Sequence, residues 1–147
     1  MISQYSSNHT HITGDFGEHL MMYWLSKNGY ECVLVRHVGI DIIASKNGER
    51  IGISVKSRSR KDGASNFSFT MTKPLEHIKK IKETCSSFAC EEYFAFVLDQ
   101  MGIIYGYLIP LSVIEKYYSV SAKSSQDWNI QKLTNDASTI SFQLNWA

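Results

Sequence analysis

The chain has 147 residues and a formal net charge of +1, with 44% hydrophobic and 20% charged residues. That is the composition of an ordinary globular protein long enough to bury one core without disulfides or structural metal. No apolar run approaches a membrane span, and the opening MISQYSSNHTHITGD lacks the basic and apolar regions of a secretory signal, so a cytoplasmic location with no membrane partner is expected.

The first twelve residues read as a flexible tail, and residues 13–147 as a single domain. A helix is expected from Thr13, a plausible N-cap, through FGEHLMMYWLSK to a stop at Asn28-Gly29. Apolar residues cover most of its circumference, which predicts burial on more than one side. YECVLVRHV and IDIIA read as strands. Asn47-Gly48 signals a hairpin turn, and RIGISVKS is the third strand. RSRKDGAS reads as a polar turn, and NFSFTMT as a fourth strand or an extended connection. Pro74 opens a second helix through LEHIKKIKETC. YFAFVLD and GIIYGYLI form two more strands around Gln100-Met101-Gly102, and LSVIEKYY is a short helix. The remainder, 119–147, is polar, with TISFQLNW as a candidate edge strand. The fold class is therefore α/β, a central mixed sheet of about five strands flanked by helices. The aromatic residues of YFAFVLDQMGIIYGY read as core. Cys32, Cys85 and Cys90 are odd in number with no paired spacing, as in a protein of reduced thiols.

Two charged residues stand out against apolar strands. In RIGISVKS, side chains alternate, so Ile51, Ile53 and Val55 share one face while Gly52, Ser54 and Lys56 share the other. Asp41 sits in GIDIIA, where a lone carboxylate is costly to bury without a partner or a cation. Pairing across Asn47-Gly48 brings Asp41 near Ser54 and Lys56. Glu18 lies within the apolar arc of the first helix, and Lys56 or a metal would give it a partner. Glu49 shares the parity of Ile51 and should point away. The basic residues cluster: KSRSRK contributes Lys56, Arg58, Arg60 and Lys61, and Lys73, Lys79, Lys80 and Lys82 follow. A local basic surface on a nearly neutral molecule is expected.

The stretches GDFGEHLMMYWLSKNGYE, GIDIIA and ISVKSRSR together resemble the PD-(D/E)xK, or restriction-endonuclease-like, nuclease superfamily, most of all its Holliday-junction-resolvase-like and small restriction-type branches. The likeness covers roughly residues 13–60. It implies a restriction-endonuclease-like core. It equates Glu18 with the helix glutamate of that pattern, Asp41 with the strand aspartate, and Lys56 with the lysine of (D/E)-x-K. It implies Mg²⁺ or Mn²⁺ as cofactor, held by Asp41, Glu18 and the Val55 carbonyl. The chain departs from the pattern at Ser54, a weak neutral ligand where a second carboxylate belongs. The resemblance further implies phosphodiester hydrolysis on DNA, which branched or structured DNA would suit, with Ser57, Arg58, Arg60, Lys61 and Lys73 gripping the backbone. Cutting two strands would call for a homodimer. The alternative is a DNA-binding or protein-interaction domain on the same fold, catalytically disabled at Ser54.

Overall fold

The computed structural model describes residues 4–61, 66–120 and 122–146. Helix α1 spans His9–Lys27, four residues earlier than Thr13. Nothing in HTHI opposes a helix, and the Thr13 hydroxyl donates back to the His9 carbonyl at 2.7 Å instead of capping. The helix buries one face only, through Gly17, Leu20, Met21 and Leu25. Ile12, Phe16 and Tyr23 remain exposed, so burial on several sides is corrected.

Strands β1 (Glu31–His37), β2 (Ile40–Lys46) and β3 (Glu49–Ser59) form an antiparallel meander. Asn47 and Gly48 join β2 to β3 with φ values of 52° and 80°, as a two-residue turn of this twist needs. β3 runs past Lys56 to Ser59, well into the segment read as a turn, because it has a second partner. Strand β5 (Glu91–Gln100) lies parallel to it, with Ser59 opposite Asp99. Helix α2 (Pro74–Ser87) makes the crossover that a parallel pair requires. Strand β6 (Ile103–Pro110) returns from β5 through Met101 and Gly102, and β8 (Ile140–Asn145) closes the edge. The sheet order is β1-β2-β3-β5-β6-β8, six strands rather than about five.

The extra structure pairs NFSFTMT, read as a fourth strand or an extended connection, with a strand from the remainder read as polar. NFSFTMT supplies β4 (Ser68–Thr72), which pairs with β7 (Ser125–Asn129) in a separate two-stranded ribbon. Helices α3 (Leu111–Tyr117) and α4 (Ile130–Leu133) complete the elements. Helix α1 covers one face of the sheet. Helices α2 and α3 and the ribbon cover the other. The face bearing Gly52, Ser54 and Lys56 is therefore covered too, where sequence alternation assigned Ile51, Ile53 and Val55 to the core. Gly52 makes this possible, because a Cβ there would lie 2.6 Å from the Cys85 sulfur on α2.

Trp128 of the ribbon is fully buried, edge-on to Phe94 at 5.5 Å and Phe96 at 6.3 Å. Each such side chain contributes about 1.5–3 kcal/mol by burial alone. The three cysteines are free, and burial pushes the Cys85 thiol up to about 12. No helix among the described residues is long and apolar enough to cross a bilayer.

Candidate active site

The paired register of β2 and β3 runs from the turn only as far as Ile42 opposite Ile53. Beyond it β3 continues beside β5, and Asp41 sits where β2 and β3 part. Its Oδ2 accepts the Val55 N–H at 2.8 Å. The carboxylate thus takes the place of a strand carbonyl and satisfies an amide that the ladder leaves open. Burial pushes the Asp41 carboxyl above its usual range. The Val55 amide, the Lys56 charge and the Arg36 charge each pull it back down, without cancelling the rise.

Glu18 reaches the same place from α1. The residue before it, Gly17, lies against Ser57 of β3 so closely that a Cβ would overlap the Ser57 hydroxyl oxygen. That contact lets α1 approach the sheet and carries Glu18, whose side chain is only 16% exposed, toward Asp41. Burial raises the Glu18 carboxyl, and the Asp41 charge raises it further. Arg36 answers part of that charge. It donates through Nε to Glu18 at 3.4 Å and through Nη2 to Asp15 at 3.1 Å. It does so from a bulge in β1 between Leu34 and His37, with φ of 45°. A non-glycine residue in this region is uncommon and strained, so the bulge fixes Arg36's direction at some cost.

Lys56 approaches on β3, half-buried, opposite Phe96 of β5. Burial pushes its amine below the usual lysine range, the Asp41 charge pulls it back up, and Arg58 lowers it again. Its Nζ lies 3.4 Å from Nδ1 of His77, in the first turn of α2. Burial lowers the His77 imidazole, and the Lys56 and Lys80 charges lower it further against Glu76. The two groups share a cleft of about 250 Å³ whose walls include Val55, Arg58, Thr70 and Thr72. Sequence reading missed His77. Its signal was position, since with Pro74, Ile78, Ile81 and Cys85 it follows the helical spacing of the buried face.

Ser54 is 6% exposed, next to the Val55 amide that Asp41 holds. Glu49 sits exposed at the hairpin, paired with Lys46, at the opposite end of β3. The residues expected to grip DNA separate. Ser57 faces α1, and its hydroxyl is buried with no partner among the described residues. Arg58 lies over the Phe69 ring at 5.9 Å and donates to the Thr70 carbonyl at 3.4 Å, and Arg60 donates to the Ser68 carbonyl. Both brace the ribbon, Arg58 from the wall of the cleft. Lys61 lies over the Tyr5 ring at 6.0 Å. Lys73 sits at the entry to α2 with φ of 49°, its N–H donated to the Ser124 carbonyl at 2.8 Å.

The donor set suits a hard divalent cation in part. Glu18 and Asp41 are carboxylates held close enough for one to raise the other, which a cation would relieve. The Val55 N–H is bonded to Asp41, and Ser54 precedes it on β3 as a buried neutral residue. Among the described residues no group of three or more His, Cys, Asp or Glu clusters at metal spacing, so the set is one carboxylate poorer than the family pattern.

No protein-family model matches the chain. No curated protein matches it by sequence. Among solved structures it is similar to Hjc of Archaeoglobus fulgidus, a Holliday junction resolvase from an archaeal hyperthermophile, with a TM-score of 0.60 and 15% identity. The match covers 83% of this chain and 88% of the other. At that identity the likeness is one of fold, a mixed sheet flanked by helices in the resolvase arrangement.

Proposed function

We propose that this chain is a divalent-metal-dependent endonuclease of the PD-(D/E)xK type, which hydrolyses phosphodiester bonds in branched or structured DNA. The observation that supports the reading is the place of Asp41, where β2 and β3 part, within electrostatic reach of Glu18 from α1 on one hand and of Lys56 from β3 on the other. The resolvase neighbour lends its substrate class to the proposal.

Glu18 and Asp41, with the Val55 carbonyl and more weakly Ser54, would hold Mg²⁺ or Mn²⁺. When bound, that ion supplies a water of lowered pKa and neutralises charge on the phosphate. The chain's own groups do the rest. Lys56 orients the attacking water or meets the charge that develops on the phosphoryl oxygens. Arg58 at the cleft, with Arg60, Lys61 and Lys73, attracts the backbone without reading bases. Two copies of the chain would cut two strands.

The test is incubation with junction, single-stranded and duplex DNA plus Mg²⁺ or Mn²⁺, beside Asp41→Ala. Cleavage abolished in the variant supports the enzyme. A second reading is a DNA-binding domain without catalysis, favoured by the neutral Ser54 and by the ion pair that already engages Glu18. Salt-sensitive DNA binding with no cleavage in either metal would establish that reading in place of the first.

A further inference from the structure

We propose that His77 is a positioning residue for Lys56: its Nδ1 accepts a hydrogen bond from the lysine amine and fixes that amine within the cleft between β3 and α2. The proposal rests on the nuclease reading above and adds to it a residue that the family pattern does not contain.

The geometry makes the case. A lysine head carries three donors on a flexible four-carbon stem, so its place in a site depends on what holds its end. Lys56 is half-buried, and no ion pair within 4.0 Å ties its amine to Asp41 among the described residues. The contact at its tip is with His77, at 3.4 Å. His77 is itself well anchored. Its backbone N–H bonds the Lys73 carbonyl at 3.2 Å, and Pro74, Ile78 and Ile81 beside it are buried against the sheet. The backbone that carries the imidazole is therefore fixed, and the ring meets the movable Lys56 amine from it.

Acceptance at Nδ1 requires the neutral ring with its proton on Nε2. The surroundings favour that form. Lys56 and Arg58 approach from β3 and Lys80 from α2, while Glu76 on α2 and Asp41 on β2 are the acids in the neighbourhood. Burial and the cations prevail, and the ring is held neutral to lower pH than a free histidine. A protonated His77 could not accept and would repel the amine.

The test uses two replacements in the full chain. His77→Asn places an amide oxygen near the position of Nδ1, and His77→Leu removes the acceptor while filling space. The first measurement needs no DNA. A double-mutant cycle of His77→Leu with Lys56→Met, read by denaturant unfolding, should depart from additivity. Strict additivity would overturn the contact.

The second measurement is single-turnover cleavage of junction DNA with Mn²⁺. His77→Leu should lower the rate by about ten- to a hundredfold, the scale of a misplaced catalytic group. DNA affinity should not change, His77→Asn should recover most of the rate, and its acid limb should lose the His-dependent step. A His77→Leu variant as fast as wild type, or a His77→Asn variant as slow as His77→Leu, would overturn the role while leaving the nuclease reading intact. A wild-type chain that cleaves nothing defeats the nuclease reading and the positioning role together, and the cycle then reports only a structural contact.

Discussion

Gly17→Ala is the sharpest test of how the site is assembled. A Cβ at this position would overlap the Ser57 hydroxyl and lie 3.0 Å from Ser57 Cβ and 3.6 Å from Val97 Cβ. The Ser57 hydroxyl can rotate, but its Cβ cannot retreat, because β3 is held in register with β5 from Ile51 to Ser59. The helix must move instead. Overpacking of this kind costs about 1–3 kcal/mol. Alanine's better helix propensity offsets about 1 kcal/mol. The balance is a loss of up to about 2 kcal/mol, or a Tm lower by up to about 6 °C for a chain of this size. Ser57→Ala removes the overlapped oxygen, which is buried without a partner among the described residues, so alone it should be neutral or stabilising by about 1 kcal/mol. Combined with Gly17→Ala it should recover part of the loss, the contact to Cβ remaining. The assay is urea unfolding of all four chains, with Mn²⁺ binding measured in parallel, since a displaced α1 carries Glu18 away from Asp41. A Gly17→Ala chain as stable as wild type, with no coupling to position 57, would refute the account of how α1 docks.

Asp41→Asn should raise stability at neutral pH. The carboxyl is raised in the folded state, so the folded chain takes up its proton before the unfolded chain does, and wild-type stability climbs as pH falls through the raised value. The advantage of Asn should narrow over that window and level off below the ordinary value of 3.8, which thermal melts across pH would reveal. Mg²⁺ or Mn²⁺ at tenfold its Kd should stabilise wild type by about 1.4 kcal/mol and leave Asp41→Asn unmoved; equal shifts in both would place the cation elsewhere. Ser54→Glu puts a third carboxylate at a position 6% exposed, so it should lower Tm without metal and enlarge the stabilisation by metal. No change in either would remove Ser54 from the site. Arg36→Gln should tighten metal binding several-fold in calorimetric titration while costing under about 1 kcal/mol of stability, because its ion pairs are partly exposed.

Local signals in the sequence carried much of this arrangement. Asn47-Gly48 set the register of β2 on β3, and counting back from Lys46 opposite Glu49 brings Asp41 toward Ser54. Asp41 and Lys56 are conspicuous in the sequence itself, as charged residues within apolar strands. What the sequence hid depends on distant partners. β4 and β7 are short, and Ser68 pairs with Asn129 across most of the second half of the chain, so neither segment announces the other. The extension of β3 to Ser59 was invisible because its cause is β5, about forty residues on. His77 follows the spacing of Ile78, Ile81 and Cys85, but only the docking of the helix shows that it meets Lys56. Ser57 and Arg58 look alike in a basic run, yet strand alternation sends one under α1 and the other to the cleft wall.

The balance of charge explains why Ser54 and Arg36 belong to one question. A site with three carboxylates crowded at the end of a sheet would be unstable without a cation, since each raises the others. With serine at position 54, Glu18 and Asp41 face the Arg36 guanidinium and the Lys56 amine, while Asp15 shares Arg36. The two cations offset much of the pocket's negative charge with no ion present. A metal entering it must therefore compete with Arg36 for Glu18, and it gains less than it would from a third acid. Arg36 is held in that contest by a strained backbone, φ 45°, that a merely solvated arginine would have no reason to adopt. In the proposed nuclease, catalysis turns on the outcome at Glu18, where a guanidinium and a divalent ion cannot both be the nearest positive charge.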